Sequence, residues 1–159
     1  MKGIFWNSRG LRDLAKAGFL FVTSNEHNLD FITLLETHRK GYSDEDLNTF
    51  CGGREYFWHW SPPKGRLGGI LLGVNLCTFY LLDVWTGEFT LKMHLKNKCD
   101  GFRWVLIVVY GAAQPEQKDR FLAEFVSASS NKNISIMVGG DFNIIKNPLE
   151  KNNDRYSSR

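Results

Sequence analysis

Asp141 and Asn143 close an apolar run, Ile134 to Val138, from which they are separated only by Gly139-Gly140. Side chains alternate along a strand, so an extended backbone through this stretch would send the Asp141 carboxylate and the Asn143 carboxamide to the same side. The glycines would let backbone and ligand approach closely, and Asn147-Pro148 implies an open loop beyond them. The same residue types also make an ordinary turn, so this stretch alone leaves both readings open. Three other apolar runs finish in a similar way: Lys2 to Trp6 at Asn7, Asp30 to Leu35 at Glu36, and Phe102 to Val109 at Tyr110-Gly111. Four strands that each end on a polar or phenolic group predict a site along one rim of a sheet. Such oxygen-rich groups suit a hard divalent cation, which needs only one or two carboxylates from the protein.

The elements that must position these groups read as short strands with few helices. Tyr56 to Trp60, Gly69 to Val74, Phe79 to Trp85 and Phe89 to Leu95 are further strand signals, separated by turns at Pro62-Pro63-Lys64-Gly65, Asn75 and Thr86-Gly87. With the run ending at Tyr110 they make five in succession, which predicts antiparallel pairing. Helical spacing appears at Leu11, Leu14, Ala15 and Gly18, and from Ser43 to Phe50 with a capping-box-like Ser43-x-x-Asp46. It appears again from Glu116 to Ser129, where Phe121, Leu122, Phe125 and Val126 share a face. These helices are expected on the outside of the sheet. There is no internal repeat, low-complexity tract or linker, so residues 1–159 read as one domain.

Taken in order, Trp6-Asn7-Ser8-Arg9-Gly10-Leu11, Leu34-Leu35-Glu36-Thr37-His38, Leu67-Gly68-Gly69-Ile70-Leu71-Leu72, Val109-Tyr110-Gly111 and Gly139-Gly140-Asp141-Phe142-Asn143 resemble the successive motifs of the endonuclease/exonuclease/phosphatase superfamily. The flavour is that of the apurinic-endonuclease-like domain of non-LTR (LINE-type) retrotransposons, and Pro148-Leu149-Glu150-Lys151-Asn152-Asn153 is similar to plant-type members. The resemblance implies an α/β fold, the N-terminal portion of a four-layer α/β sandwich of the deoxyribonuclease-I-like type. It implies a Mg²⁺- or Mn²⁺-dependent phosphodiester hydrolase acting on DNA. In that scheme Glu36 binds the metal and Asn7 shapes its site. Asp141 activates or orients the attacking water or protonates the leaving oxygen, while Asn143 and Tyr110 hydrogen-bond the phosphate region.

Departures from the pattern bear on activity. In the superfamily the chain continues past the Asp-x-Asn strand to a late Asp-His pair, whose histidine contacts the scissile phosphate. Here His27, His38, His59 and His94 all precede Asn143. The sequence therefore reads as truncated, with weakened or absent cleavage; losing one donor to a developing oxyanion typically costs about a hundred- to a thousand-fold in rate. Truncation also predicts a poorly covered inner sheet face and self-association. The alternative is a non-catalytic retroelement remnant with at most weak binding. Arg9 stands where repair-type relatives carry an acid, which argues against abasic-site repair more than against a nuclease. Ala112 stands where proline is usual and loosens a turn without removing a ligand.

Bulk properties agree with a nucleic-acid-handling domain. A formal charge of +3 and a pI near 8.8 permit phosphate binding but fall short of a dedicated DNA-binding arm. No apolar run approaches the roughly 20 residues of a membrane span, and no signal-peptide pattern opens the sequence, so a nuclear or cytoplasmic location is expected. Cys51, Cys77 and Cys99 are odd in number and widely spaced, which fits reduced thiols. His38 reads as an exposed loop residue and His59, within Tyr56-Phe57-Trp58-His59-Trp60, as part of a packing pattern. Lys64 and Arg66 read as a solvated hairpin tip. Gly68-Gly69 and Gly73 read as glycines inside strand-like runs, since no Lys-Ser/Thr follows to make a phosphate loop.

Overall fold

The computed structural model describes residues 1–144; residues 145–159, which include Asn147-Pro148 and the plant-type segment Pro148 to Asn153, lie outside them. Eight strands form two four-stranded sheets. The first sheet contains β1 (Gly3–Asn7), β2 (Phe31–Leu35), β3 (Tyr56–Ser61) and β4 (Ile70–Asn75), in spatial order β1-β2-β4-β3. The second contains β5 (Phe79–Thr86), β6 (Thr90–Asn97), β7 (Arg103–Tyr110) and β8 (Ser135–Asp141), in spatial order β5-β6-β7-β8. Helices α1 (Leu14–His27) and α2 (Asp44–Phe50) lie outside the first sheet; α3 (Lys118–Ala128) lies outside the second, preceded by a 3₁₀ turn at Pro115–Gln117.

Three apolar clusters define the four layers. Phe31, Leu35, Leu72 and Val74 of the first sheet meet Leu91, Met93, Leu95, Leu106 and Val108 of the second in a central core. The opposite face of the first sheet, Ile32, Leu34 and Leu71, packs against Leu20 and Phe50 of the helices. On the far side, Val105, Ile107 and Val109 pack against Phe121 of α3. β2 and β7 read as unbroken apolar runs because they are covered on both faces, so neither shows the alternation of a half-exposed strand. The two sheets cover each other's inner faces at the centre, while Phe5 on the edge strand β1 and Met137 on the edge strand β8 are half-buried against that core.

Most of the strand signals sit where the sequence placed them, and Ser43 forms the expected capping box with Asp46. Pairing is antiparallel in β3–β4, β5–β6 and β6–β7, but β4 and β5 are not partners: the chain changes sheets at Asn75 to Thr78. The helix face expected on α3 is narrower than its spacing implied. Phe121 is buried and Phe125 half-buried, whereas Leu122 and Val126 are exposed, since the helix meets the sheet along one line of residues.

Two parallel pairs decide where the site lies. β1 and β2 are parallel and joined through α1; β7 and β8 are parallel and joined through α3. Parallel partners end together, so Asn7 finishes beside Leu35 and Tyr110 beside Asp141. Both pairs deliver their C-terminal ends to one rim, the side on which open α/β sheets leave a crevice.

Candidate active site

Asn7, the last residue of β1, sends its amide nitrogen to two carboxylates. Its Nδ2 donates to Glu36 Oε1 at 2.9 Å and to Asp141 Oδ2 at 3.1 Å. Glu36 follows β2 in the first sheet, while Asp141 ends β8 in the second, so one side chain ties the two sheets together at the rim. Close approach of the sheets here depends on Gly139, where an added Cβ would run into the Phe5 ring of β1. Asn7 Oδ1 accepts from the Arg9 backbone N–H at 3.3 Å, which fixes which end of the amide faces the carboxylates.

Glu36 is held by unusual backbone. Its φ is +52°, and Arg9, His38 and Asn143 around it also have positive φ, between 47° and 51°. Non-glycine residues adopt this region uncommonly, and a concentration of them marks a place where surrounding contacts hold strain. The contacts are visible: Gly10 N–H donates to the Glu36 carbonyl at 2.6 Å, and His38 N–H donates to the Gly68 carbonyl at 2.7 Å. Gly68 is buried against this turn, and a Cβ on it would lie 2.8 Å from Glu36 Cα. Gly68 and Gly69 precede β4 instead of lying within it, and their smallness admits the Glu36 turn; the sequence reading missed this role.

Asn143 is not the next outward residue of a continuing strand. β8 ends at Asp141, the backbone turns, and Asn143 N–H donates to Asp141 Oδ1 at 3.0 Å while its Nδ2 donates to the Gly111 carbonyl at 2.9 Å. The turn is pinned from outside by Phe142, whose ring packs edge-on against Phe125 at 5.6 Å. Gly111 N–H donates to the Asp141 carbonyl at 2.7 Å, and the Phe142 carbonyl passes where a side chain on Gly111 would sit. Strand alternation therefore does not bring Asn143 beside Asp141; a compact turn does, and Asn143 holds Asp141 through its backbone N–H.

Tyr110 ends β7 with its side chain buried in the central core. Burial and then the negative Glu36 push its hydroxyl up to about 12, with Asp141 acting the same way. The phenol is thus a neutral donor beside two carboxylates. Neither Glu36 nor Asp141 has an ion-pair partner among the described residues, whose ion pairs are Met1 with Asp30, Arg39 with Asp46 and Arg120 with Glu88.

That donor set fits one kind of metal. Two unpaired carboxylates share a single amide, and no group of three His, Cys, Asp or Glu side chains stands ready to hold an ion among the described residues. An all-protein zinc or calcium cage would need more ligands, whereas Mg²⁺ takes one or two carboxylates and completes its shell with water and phosphate oxygens. Glu36 and Asp141 are the groups that would hold it. Asn7 presents nitrogen to the carboxylates, so in this arrangement it fixes the ligands and does not itself offer an oxygen.

Two clefts flank the rim. One, of about 520 Å³, is lined by Arg9, Gly10, Arg12, Asp13, Lys16 and His38. Lys16 Nζ donates to the Ser8 and Gly10 carbonyls at 2.6 and 2.9 Å and so fixes the loop that carries Arg9. His38 is exposed on this cleft, as a loop histidine was expected to be. The other, of about 420 Å³, runs from Tyr110 past Leu67 and Lys64 to Glu88.

Comparison with known proteins bears on this geometry. A family model described as "Endonuclease/Exonuclease/phosphatase family" matches residues 4–157. No curated protein sequence matches. Among solved structures, the human nocturnin catalytic domain superposes with a TM-score of 0.70 at 15% identity, covering 90% of this chain and 64% of that one. D. rerio TDP2 complexed with a single-strand DNA product gives 0.64 at 14% identity, covering 90% and 60%. A mannosyl-6-phosphatase from Bacteroides thetaiotaomicron gives 0.59 at 15% identity, covering 89% and 65%. The chain thus spans about two thirds or less of these three solved chains, and at such identities the likeness is one of fold.

Proposed function

The chain belongs to the endonuclease/exonuclease/phosphatase family, and from that premise we propose that its rim is a divalent-metal-dependent phosphodiester hydrolase site of the retrotransposon-endonuclease type, acting slowly on DNA. The observation that carries this reading is the pairing of Glu36 and Asp141 from opposite sheets on one Asn7 amide. A bound Mg²⁺ supplies charge neutralisation at the phosphate and a lowered pKa for water. The chain's own residues do the rest. Asp141 lies at the junction of both sheets, where it can take a proton from the attacking water or return one to the leaving oxygen. Tyr110 donates a hydrogen bond to a phosphate oxygen and keeps its proton near neutral pH. Asn143 positions Asp141.

DNA is favoured over a sugar phosphate by the motif flavour and by Arg9 and Arg12 in the cleft beside the rim, which suit a phosphate chain extending past the cleaved bond. TDP2 and the mannosyl phosphatase show how far substrates differ on this fold, so the fold does not choose. The slowness is proposed from the resemblance, in which a histidine donates to the scissile phosphate; His38, exposed on the flanking cleft, makes no hydrogen bond to the rim groups. Nuclear or cytoplasmic action is consistent with three unpaired cysteines. A supercoiled-plasmid nicking assay with Mg²⁺ tests the reading. Slow nicking that disappears in Asp141→Ala is expected; a wild-type rate equal to that of Asp141→Ala would overturn it.

A further inference from the structure

Away from the rim, the outer face of the second sheet carries exposed rings and cations that the hydrolase site does not use. α3 covers the β7–β8 side of this face, where Val105, Ile107 and Val109 pack with Phe121, and at the Phe89 turn Glu124 accepts from the Phe89 backbone N–H at 3.0 Å and from the Thr90 hydroxyl at 2.8 Å. On the β5–β6 side, outside this cover, the strand register sets out three rows. Tyr80, Lys96 and Arg103 form one; Asp83 and His94 form the next, ending at the buried Val105; Trp85 and Lys92 form the third, ending at the buried Ile107. A bulge between Leu81 and Asp83 places Leu82 on the same side, while Phe79, Leu81 and Val84 still face the core.

The rings on this face are left to solvent. Tyr80 is 53% and Trp85 40% exposed, although the buried face of the same strand packs a phenylalanine fully. Cations accompany them: Lys98 Nζ lies 4.7 Å from the centre of the Tyr80 ring and Lys92 Nζ 5.3 Å from that of Trp85. The carboxylates nearby are turned to backbone, Asp83 accepting from Val84 N–H and Asp100 from Phe102 N–H, each at 2.9 Å. No ion pair among the described residues neutralises these lysines or Arg103.

We propose that this face binds a single-stranded nucleic acid, its bases stacking on Trp85 and Tyr80 and its phosphates meeting Lys92, Lys96 and Arg103. Cations alone would suit any polyanion, and rings alone any apolar partner. Their interleaving on a flat sheet suits a polymer that alternates charge with π surface, and an open sheet lets unstacked bases lie flat. Residues four apart on a strand are roughly 13 Å apart, so Lys92 and Lys96 mark out a track along β6 instead of a point site. The surface is separate from the Asn7–Glu36–Asp141 cluster, and its failure would leave the hydrolase reading untouched.

The test is fluorescence anisotropy with labelled oligothymidylate and oligouridylate of about 12 nucleotides, in chelator and without metal. Trp85→Ala should weaken binding about tenfold, while Trp85→Phe, which keeps a stacking face, should stay within about twofold. Lys92→Ala with Lys96→Ala should reduce the slope of log affinity against log salt by about 0.7 for each phosphate that is no longer neutralised. Circular dichroism of each variant establishes that the fold is kept. The DNA and RNA arms separate the two sources of single strand, and tight binding in either supports the surface. Wild-type protein that fails to bind both oligonucleotides overturns it, as do variants that bind like wild type. Tighter capture on phosphatidylserine vesicles with the same lysine dependence would mark the face as a membrane contact and also overturn the proposal.

Discussion

Tyr110, proposed as a donor to phosphate, also limits stability through its burial. Its hydroxyl is pushed up to about 12 by burial and by Glu36 and Asp141, against about 10 in an unfolded chain. The neutral form is the one favoured in the fold, so the stability linked to this group is intact below about pH 10. As pH rises toward 12, the unfolded chain releases a proton that the folded one keeps, and stability falls. Urea titrations at about pH 9 and about pH 11.5 should show that loss in the wild type and a smaller one in Tyr110→Phe. The same substitution should slow plasmid nicking by about a hundred-fold if the phenol donates to phosphate. An identical alkaline loss in both proteins would remove Tyr110 as its source.

Glycines govern how the elements close on the site. Gly140 lies in β8 with φ +139°, and a side chain there would strike the Val109 carbonyl of the paired strand. Gly140→Ala should therefore destabilise the fold by roughly 2 kcal/mol or more, through backbone strain and a broken β7–β8 register, read as a lowered urea midpoint with an unchanged slope. A midpoint equal to wild type would mean that the strand end relaxes freely. The strands themselves were legible, because runs such as Ile70 to Val74 and Trp104 to Val109 are apolar throughout and short. The change of sheet after β4 was not. Its turn uses ordinary turn chemistry, Asn75 Oδ1 accepting from Cys77 N–H at 2.9 Å and the Asn75 carbonyl from Thr78 N–H at 3.1 Å, which a hairpin would use as well. The positive φ of Glu36 and Asn143 was equally hidden, since bonds to Gly10 and to Gly111, far away in sequence, accompany them. Motif order pointed to the rim; the Asn7 bridge and the Gly68 packing belong to tertiary contacts that periodicity cannot express.

At the scale of the whole molecule, the site exists only while the two sheets are docked. Asn7 and Glu36 come from the first and Tyr110 and Asp141 from the second, and the core between them includes Leu72, Met93 and Leu106, all fully buried. A cation held by Glu36 and Asp141 would bind the docked state and not the unfolded chain, so it must stabilise the fold, by about 2.7 kcal/mol when present at a hundred times its dissociation constant. Leu106→Ala should cost roughly 2–5 kcal/mol by leaving a cavity between the sheets, without touching a proposed ligand. Mn²⁺ should then raise the melting temperature of the wild type and of Leu106→Ala alike, and calorimetry should show similar affinity in their folded forms. Glu36→Gln should behave oppositely, with little change in metal-free stability, affinity at least about tenfold weaker and most of the thermal shift lost. A Mn²⁺ shift of equal size in wild type and Glu36→Gln would place the cation elsewhere on the molecule and remove the metal from the rim.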